Sequence, residues 1–347
     1  MTIRGVPAQR SGVPPPAGLE VARYVTGSAI WAPSVHNTQP WWFAIDDGGI
    51  ELHADSSRQL RVADPDGREM LISCGAALFT AKLAVRALGM VPESLVLPDP
   101  ADPFLVARLR WPRRAPTELY EQLLAAQVDR RRTHRGGFGQ GDLPPGLLGA
   151  LRHAASRDGA ALRVANDDAS RAMLAAMVEM AERAQRLDSA CVAELANWTP
   201  APGSMRSEGV SPSSYPARTQ RTSPHFPARD FARGHGWGMA FPGPGGPGRF
   251  AGVACVLTTP ADRPVDWVNA GHALQRILLT AAAYGVAAAI HSQPTEITRL
   301  RENMRAHIGD GSYPHLVLRF GTVIQNAVSL RQPPRVVRLH PTDELAR

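Results

Sequence analysis

Lysine is nearly absent from this chain, in which Lys82 is the single lysine among 38 Lys and Arg residues. The formal net charge is nevertheless +7, and a charge of this sign can indicate a nucleic-acid partner. The arginines are scattered, apart from the run at 130–132, and they form no basic stripe interleaved with aromatic residues. We therefore expect the chain not to bind nucleic acid.

Cysteine is also scarce. Cys74, Cys191 and Cys255 are odd in number, widely spaced and without a CxxC pair, so we expect small side chains in a reducing compartment rather than a disulfide framework. Residues 1–18 lack the apolar core of a signal peptide. No uncharged run approaches the ~20 apolar residues that span a bilayer. These features predict a cytoplasmic protein without membrane contact and with a flexible N-terminal arm at 1–18.

Motifs of several familiar chemistries are missing as well. The sequence lacks a GxGxxG fingerprint, a Walker loop, a GxSxG elbow and an HExxH pair. Its 11 histidines never fall into zinc-ligand spacing with a cysteine. We therefore predict neither a metal site nor a catalytic acid, base or nucleophile.

What the chain does contain is an internal repeat. Residues 74–90 and 270–286 both begin with Gly-x-Ala-Leu after one residue, continue through apolar positions and close on a glycine. Their Ala and Leu content predicts helices buried on most faces, and the glycine is typical of a helix C-terminus. Each is followed by an apolar stretch with an arginine, at 104–111 and 314–321, which predicts a strand. The pattern indicates a weak duplication.

Further elements fill out each copy. We predict opening helices at 19–30 and 117–130, the second with Thr117 as its N-cap. A hairpin follows the first helix at 41–54, and the second copy adds a helical stretch at 169–198. Helices and small sheets mixed in this way indicate an α+β fold.

The segment 199–250 is crowded with Pro, Gly and Ser and has almost no aliphatic periodicity. A loop of this length inside a compact domain is usually either a functional lid or disordered. Tyr215, Phe226, Phe231 and Trp237 favour an ordered lid, because disordered linkers are poor in aromatic residues.

Two polar stretches could carry chemistry. The first, "DRRRTHRGGF" at 129–138, has guanidinium groups that can each donate two hydrogen bonds to a phosphate. Thr133 adds a hydroxyl, and Gly136 and Gly137 allow close backbone approach. The alternative is a solvated cationic helix end that complements the helix dipole.

The second stretch is "WAPSVHNTQPWW" at 31–42. Pro33 and Pro40 stiffen it, and its uncharged side chains can both donate and accept hydrogen bonds. Such a rim suits the edge of a flat heterocycle, with a nearby aromatic side chain closing the pocket. The alternative is a structural turn that caps the helix at 19–30.

Together the two stretches resemble a known family. "APSVHNTQPW" is similar to the Ser-x-x-Asn-x-Gln-Pro-Trp signature of the FMN-dependent nitroreductase superfamily, and "RRTHRGGF" resembles its Arg-x-Ser-x-Arg/Lys stretch. With "HFPARDFARG" and "HSQPTE", the combination is similar to the Acg-like branch of that superfamily, over about 19–334.

The resemblance implies a nitroreductase-like α+β fold with two degenerate copies fused in one chain as a pseudo-dimer. Ordinary members are homodimers with a flavin at each half of the interface, whereas this branch keeps one FMN per chain. The N-terminal half would be 19–115 and the C-terminal half 116–347, with the lid-like insertion at 199–250. The assembly would be a monomer acting as a pseudo-dimer, or a homodimer.

The resemblance also implies FMN contacts from both halves. The C-terminal half would hold the phosphate and ribityl chain through Arg131, Thr133 and Arg135, and through the backbone of Arg132. The N-terminal half would face the isoalloxazine with Pro33, Ser34, Asn37 and, on a looser match, Gln39. The "HSQP" stretch would lie near flavin N5 with Ser292 and Gln293. The nearest matches to the family's C-terminal basic pair are Arg331 and Arg335.

Three functions follow from this reasoning. The first is NAD(P)H-dependent reduction of nitroaromatic or quinone-like acceptors through FMN. The alternative is a protein that stores or sequesters FMN under a lid, without nitroreductase turnover. Nucleic-acid binding, the third, conflicts with the scattered arginines.

Overall fold

Two main sheets, antiparallel apart from one edge strand, flank a pair of long helices in the computed structural model, which describes residues 18–46, 48–215, 220–231, 249–323 and 334–338. The helices are α1 (Gly18–Ala29), α2 (Arg68–Ala87), α3 (Leu119–Ala125), α4 (Leu147–Ser156), α5 (Asp168–Leu187), α6 (Ser189–Asn197), α7 (Pro264–Ala283), α8 (Gln293–Glu296) and α9 (Thr298–His307). The strands are β1 (Trp41–Ile45), β2 (Gly49–Ala54), β3 (Met90–Val96), β4 (Leu105–Arg114), β5 (Ala161–Val164), β6 (Thr222–Ser223), β7 (Arg249–Phe250), β8 (Val253–Thr259), β9 (Ala287–His291), β10 (Tyr313–Gly321) and β11 (Val336–Arg338).

The two sheets share one strand order. The first runs β11-β1-β2-β4-β3 and the second β5-β8-β10-β9, and all pairs among the four equivalent strands of each are antiparallel. The long helix lies between the second and third strands along the chain in both, α2 after β2 and α7 after β8. Strand β11 returns from the end of the chain and pairs in parallel with β1, with Phe43 opposite Val336. A short parallel pair, β6 and β7, stands apart.

Helices α2 and α7 contain the two repeated stretches and pack on each other at their glycines. A Cβ added to Gly271 would lie 2.8 Å from the Ala76 nitrogen and 2.9 Å from the Gly75 Cα. Both predicted helices are confirmed, and both begin earlier than the repeat. The glycines that follow them, Gly89 and Gly285, have φ of +71° and +72°, the left-handed conformation that ends many helices.

The core extends across the helix pair. Val268 of α7 belongs to the buried cluster around the first sheet, and Ile72 of α2 to the cluster around the second. Among the described helices, α2 alone is long and apolar enough to cross a membrane, and 83% of that segment is buried inside the chain. Packing against α7, α1 and the first sheet accounts for its apolar composition.

The prediction of an opening helix of the second copy at 117–130 is wrong, because the helix found there is shorter and the helix equivalent to α1 lies later in the chain. Only α3 forms there, and it gives way to successive turns after Ala125. Its cap is a box made by Glu118 and Glu121, whereas the Thr117 hydroxyl donates to the carbonyl of Arg86. The helix that stands before β5, as α1 stands before β1, is α4.

The predicted helix at 169–198 is two helices. Asp188 ends α5 with an extended backbone and caps α6, because its carboxylate accepts hydrogen bonds from the nitrogens of Ala190 and Cys191. The predicted hairpin at 41–54 and the strands at 104–111 and 314–321 are confirmed as β1–β2, β4 and β10.

Candidate functional site

A cavity lies where the turn after α1, the start of α2, the segment before α4 and the end of β9 come together. Part of the insertion and the strand β10 complete its wall. Its polar lining comes from both halves of the chain: Ser34, His36, Glu69, Ser73, Thr133, His134, Arg135, Arg229, His291, Ser292, Gln293 and Arg319. Pro33, Ile72, Phe231 and Leu274 are among its apolar lining residues.

The turn at 31–42 enters the cavity wall through Pro33 and Ser34. The Ser34 Oγ accepts a hydrogen bond from the Gln39 nitrogen at 3.0 Å, which folds the turn back on itself. His36, Asn37 and Gln39 have φ of +46°, +55° and +49°, a conformation that non-glycine residues rarely adopt unless neighbouring contacts impose it. Ser34 therefore lines the cavity from a turn with little conformational freedom.

Asn37 and Gln39 bind the insertion instead of lining the cavity. The Asn37 Nδ2 donates to the carbonyls of Ser207 and Gly209, at 3.1 and 3.0 Å. The Gln39 Nε2 donates to the same Ser207 carbonyl at 3.0 Å. The Gly209 nitrogen returns a bond to the Asn37 carbonyl at 3.1 Å. These contacts fasten the beginning of the insertion to the turn.

The segment 131–135 runs beside β9. The His134 nitrogen donates to the Ala288 carbonyl at 2.8 Å, and Thr133 forms a parallel bridge with Ala288. This pairing brings Thr133 and Arg135 to the cavity. The Arg131 side chain is buried, and its Nη1 donates to the Thr133 Oγ1 at 3.3 Å.

Arg131 and Arg132 line a second cavity, beside the C-terminal end of α7 and the start of β9. Arg132 donates to the carbonyls of Asp129 and Arg131, and its guanidinium lies over the Trp31 ring, 5.2 Å from the centroid. Arg335 lies elsewhere, in an ion pair of 2.7 Å with Asp55. Arg331 is outside the described residues.

Ser292 and Gln293 reach the cavity at the start of α8. The Ser292 Oγ donates to the Glu296 Oε1 at 2.6 Å, and the Gln293 Nε2 donates to the Glu182 Oε2 at 3.3 Å. The structure thus brings six of the expected residues to one cavity: Pro33, Ser34, Thr133, Arg135, Ser292 and Gln293.

Two guanidinium groups, of the buried Arg319 and the half-buried Arg135, line this cavity without a carboxylate partner in the described part of the chain. Arg135 donates to the Ser214 carbonyl at 3.2 Å and stacks toward Phe231. Arg319 donates to the His291 Nε2 at 2.9 Å and to the Ala251 carbonyl at 2.6 Å. Burial lowers the pKa of Arg135 to about 10 and that of Arg319 to about 9. Both groups are still cationic at neutral pH, so the cavity favours an anionic ligand.

Arg319 was missed in the sequence, although a signal was present: it is the only arginine in the apolar strand β10. His291, which accepts its hydrogen bond, is neutral, because burial and then the charges of Arg319 and Arg229 hold its pKa well below the usual range. A histidine in this state leaves the positive charge of Arg319 uncompensated.

The insertion covers part of the cavity. Ala228, Arg229 and Phe231 are among the lining residues. The Arg229 Nη2 forms an ion pair of 2.6 Å with the Glu296 Oε1, and the Asp230 nitrogen donates to the Glu182 Oε1 at 3.0 Å. Residues 216–219 and 232–248, with the expected Trp237, lie outside the described part. Among the described residues, no group of three or more His, Cys, Asp or Glu side chains is arranged to hold a metal ion.

No family model matches the chain. Two proteins of Mycobacterium tuberculosis are similar to it over most of their length. "Putative NAD(P)H nitroreductase Rv3131" is 33% identical over 320 residues, which cover 91% of this chain and 89% of that protein. "Putative NAD(P)H nitroreductase acg" is 30% identical over 332 residues, which cover 94% of this chain and 95% of that protein.

Among solved structures, a nitroreductase with bound FMN from Desulfitobacterium hafniense overlaps 64% of this chain and 96% of its own. The sequence identity is 15% and the TM-score 0.38.

Proposed function

This chain belongs to the nitroreductase superfamily, and we propose that it is a flavoprotein that binds one FMN in the cavity between its two halves. The observation that carries the proposal is a pair of guanidinium groups, those of the buried Arg319 and the half-buried Arg135, on a cavity that Ser34 lines from the other half of the chain. A buried cation without a carboxylate is costly unless a ligand supplies the negative charge.

The lining residues fit FMN in kind as well as in charge. A phosphate dianion suits the guanidinium groups, and the Thr133 hydroxyl suits a ribityl oxygen. Ser34 and Gln293 carry uncharged polar groups for a heterocycle edge, and Pro33, Ile72 and Leu274 supply apolar wall. The absence of a dinucleotide fingerprint in the sequence favours FMN over FAD.

FMN, when bound, supplies the redox chemistry by accepting a hydride from a nicotinamide and passing two electrons to an acceptor. The residues of this chain position it and exclude water. We assign direct contacts to the six lining residues named above. We propose that Arg131 and Arg132 orient Thr133, that Asn37 and Gln39 act by holding the insertion, and that Arg331 and Arg335 are secondary phosphate candidates.

We further propose that the chain is a fused duplication. The shared strand order of the two sheets supports it, as does the crossing of α2 and α7 at equivalent glycines. The return of β11 to the first sheet ties the C-terminal half, 116–347, to the N-terminal half, 19–115. In such a pseudo-dimer one chain completes the site, whether the protein is a monomer or a homodimer. We also propose that the protein lies in the cytoplasm, which agrees with its three free cysteines.

Two activities are consistent with a bound FMN. The first is NAD(P)H-dependent reduction of nitroaromatic or quinone-like acceptors, which the names of the relatives favour. The second is storage of FMN, which one observation favours: Arg229 and Phe231 of the insertion line the cavity, and an ion pair with Glu296 holds Arg229 there. A covered ring would be closed to a nicotinamide.

Anaerobic mixing of the purified flavoprotein with NADH or NADPH separates the two activities. Loss of the flavin's visible absorbance within seconds, followed by its return on adding a quinone, would support the oxidoreductase. Retention of colour with both nucleotides, together with slow bleaching by dithionite, would support storage. A colourless protein that takes up no FMN would contradict both.

A further inference from the structure

A group of buried acids lies behind the cavity wall. Asp64 lies in the turn before α2, and Glu69 lies at the start of α2. Glu182 belongs to α5 and Glu296 to α8. The side chains of all four acids are shielded from solvent. Arg68 of α2 and Arg229 of the insertion lie among them. Of these acids, Glu69 alone lines the cavity.

Glu69 has few hydrogen bonds for a buried carboxyl group. Its Oε1 accepts from the Arg68 Nη2 at 3.3 Å, a long contact for a charged pair. Its Oε2 is buried and has no hydrogen-bond partner in the described part of the chain. No other residue of the cavity lining has such an atom among the described side chains. A buried polar atom in this state usually has a partner that is not part of the protein.

The two arginines whose charge acts on Glu69, Arg68 and Arg229, make shorter hydrogen bonds to other groups. Arg229 is paired with Glu296 at 2.6 Å. Arg68 donates to the carbonyl oxygens of Thr295 and His315, at 2.9 and 3.2 Å. A negative charge on Glu69 would therefore be poorly compensated, and it would face the neighbouring carboxylates of Glu296 and Asp64.

The surroundings of Glu69 favour its protonated form on balance. Burial, and then the charge of Glu296, raise the pKa of Glu69 well above its usual range. The charge of Asp64 also raises the pKa of Glu69. The charges of Arg68 and Arg229 lower this pKa, but each has a smaller effect than burial or Glu296.

We propose that Glu69 is a neutral carboxylic acid in the folded protein and that its hydroxyl group donates a hydrogen bond to an uncharged acceptor atom of the ligand in the cavity. The acceptor is a carbonyl oxygen or a heteroaromatic nitrogen, because a cation would require the carboxylate. The inference rests on the proposed flavin site, whose ring carries both kinds of acceptor. Glu69 thus favours a ligand with a neutral ring, whereas Arg135 and Arg319 favour a ligand with an anionic group.

The binding test uses the full apo-protein and riboflavin, which lacks the phosphate whose own titration would complicate the result with FMN. Affinity is measured by fluorescence titration between pH 6 and pH 9 for the wild type, Glu69→Gln and Glu69→Ala. Glu93→Gln, at an exposed position of β3, is the matched control.

We expect wild-type affinity to fall as the pH rises, because ionisation removes the donor. Glu69→Gln keeps a neutral donor, so it should match the wild type at low pH and lose the pH dependence. Glu69→Ala should bind about two- to tenfold more weakly at pH 6. A Glu69→Gln profile that follows the wild type would overturn the inference, as would a large loss of affinity at pH 6 in that variant. Absence of binding of both riboflavin and FMN by the wild type at every pH would instead overturn the flavin site itself.

A second measurement needs no flavin. An acid whose folded pKa is raised destabilises the fold as the pH rises from its unfolded value toward its folded value, because the unfolded chain releases the proton first. The free energy of unfolding of Glu69→Gln should therefore gain on that of the wild type between pH 5 and pH 8. A constant difference between the two would mean that Glu69 is ionised throughout, and the inference would fail.

Discussion

Gly75 and Gly271 face each other where α2 crosses α7, so closely that a Cβ on Gly271 would lie 2.9 Å from the Gly75 Cα. The nearest atoms to that Cβ are backbone atoms of α2, which no side-chain rotation can move. The crossing holds the two sheets at a fixed separation. The cavity lies beside the N-terminal end of α2, where Glu69, Ile72 and Ser73 contribute to its wall.

We expect Gly271→Ala to destabilise the fold by about 3 kcal/mol, since overpacking of a tight contact forces the helices apart. Chemical denaturation measures the change. Gly149→Ala in α4 is the control, because nothing lies within 4 Å of its Cβ, and it should stabilise the protein by about 0.5–1 kcal/mol. Equal effects at the two positions would contradict the crossing.

Arg135→Met should separate stability from function. Its half-buried guanidinium donates to the Ser214 carbonyl at 3.2 Å and has no carboxylate partner in the described part of the chain, so the apo-protein should be at least as stable without it. Affinity for FMN should fall about ten- to a hundredfold, because a charge-assisted contact is lost. Arg113→Met, at an exposed position of β4, should change neither property. A less stable apo-protein with unchanged FMN affinity would mean that Arg135 is structural.

Asn37→Ala should loosen the start of the insertion, since it removes two hydrogen bonds to the carbonyls of Ser207 and Gly209. Two such bonds are together worth about 2 kcal/mol, so trypsin cleavage after Arg206 should become about thirtyfold faster. Bleaching of bound flavin by dithionite should become faster as well. Asn303→Ala, at an exposed position of α9, is the control. Unchanged cleavage would show that Asn37 does not hold the insertion.

Acid should destabilise the fold through buried histidines. His315 is fully buried and shares a hydrogen bond of 2.6 Å with the Thr259 Oγ1. Burial, and then the charge of Arg68, lower the pKa of His315 to about 3. Because the unfolded chain takes up the proton near pH 6.5, this contribution is complete above that pH and is lost as the pH falls toward 3.

The matching experiment compares the free energy of unfolding at pH 7.5 and pH 5. His315→Gln should reduce the loss on acidification by about 2 kcal/mol relative to the wild type. His153→Gln, at an exposed position of α4, is the control. A His315→Gln profile parallel to that of the wild type would contradict the assignment of a neutral buried imidazole.

Local patterns in the sequence predicted the elements that depend on local physics. The long helices follow from apolar composition and a closing glycine, and the hairpin from two short strand-like runs around a glycine-rich turn. The prediction of a helix at 117–130 failed because residues 126–130 could continue a helix by composition, whereas the chain turns there to bring Thr133 beside Ala288. Ala288 lies 155 positions after Thr133, so the contact between them produces no periodic pattern in the local sequence.

The site was predictable where a motif spans a few residues. Ser34 and Arg135 were found in this way. Asn37 was found too, but its partner Ser207 lies 170 positions along the chain, so its contact with the insertion could not be read from the turn. Arg319 is the single charged residue of an apolar strand, and Glu69 is one of several charged residues around the start of α2, so only the fold shows that both lie on one cavity.

The central claim is that one chain forms one FMN site from both of its halves. The most direct measurement is equilibrium titration of the apo-protein with FMN, with the chain's assembly state determined by sedimentation. We predict saturation at one FMN per chain, whether the protein sediments as a monomer or as a dimer. Two FMN per chain would mean that each half forms its own site, and one FMN per two chains would mean that a second chain completes it.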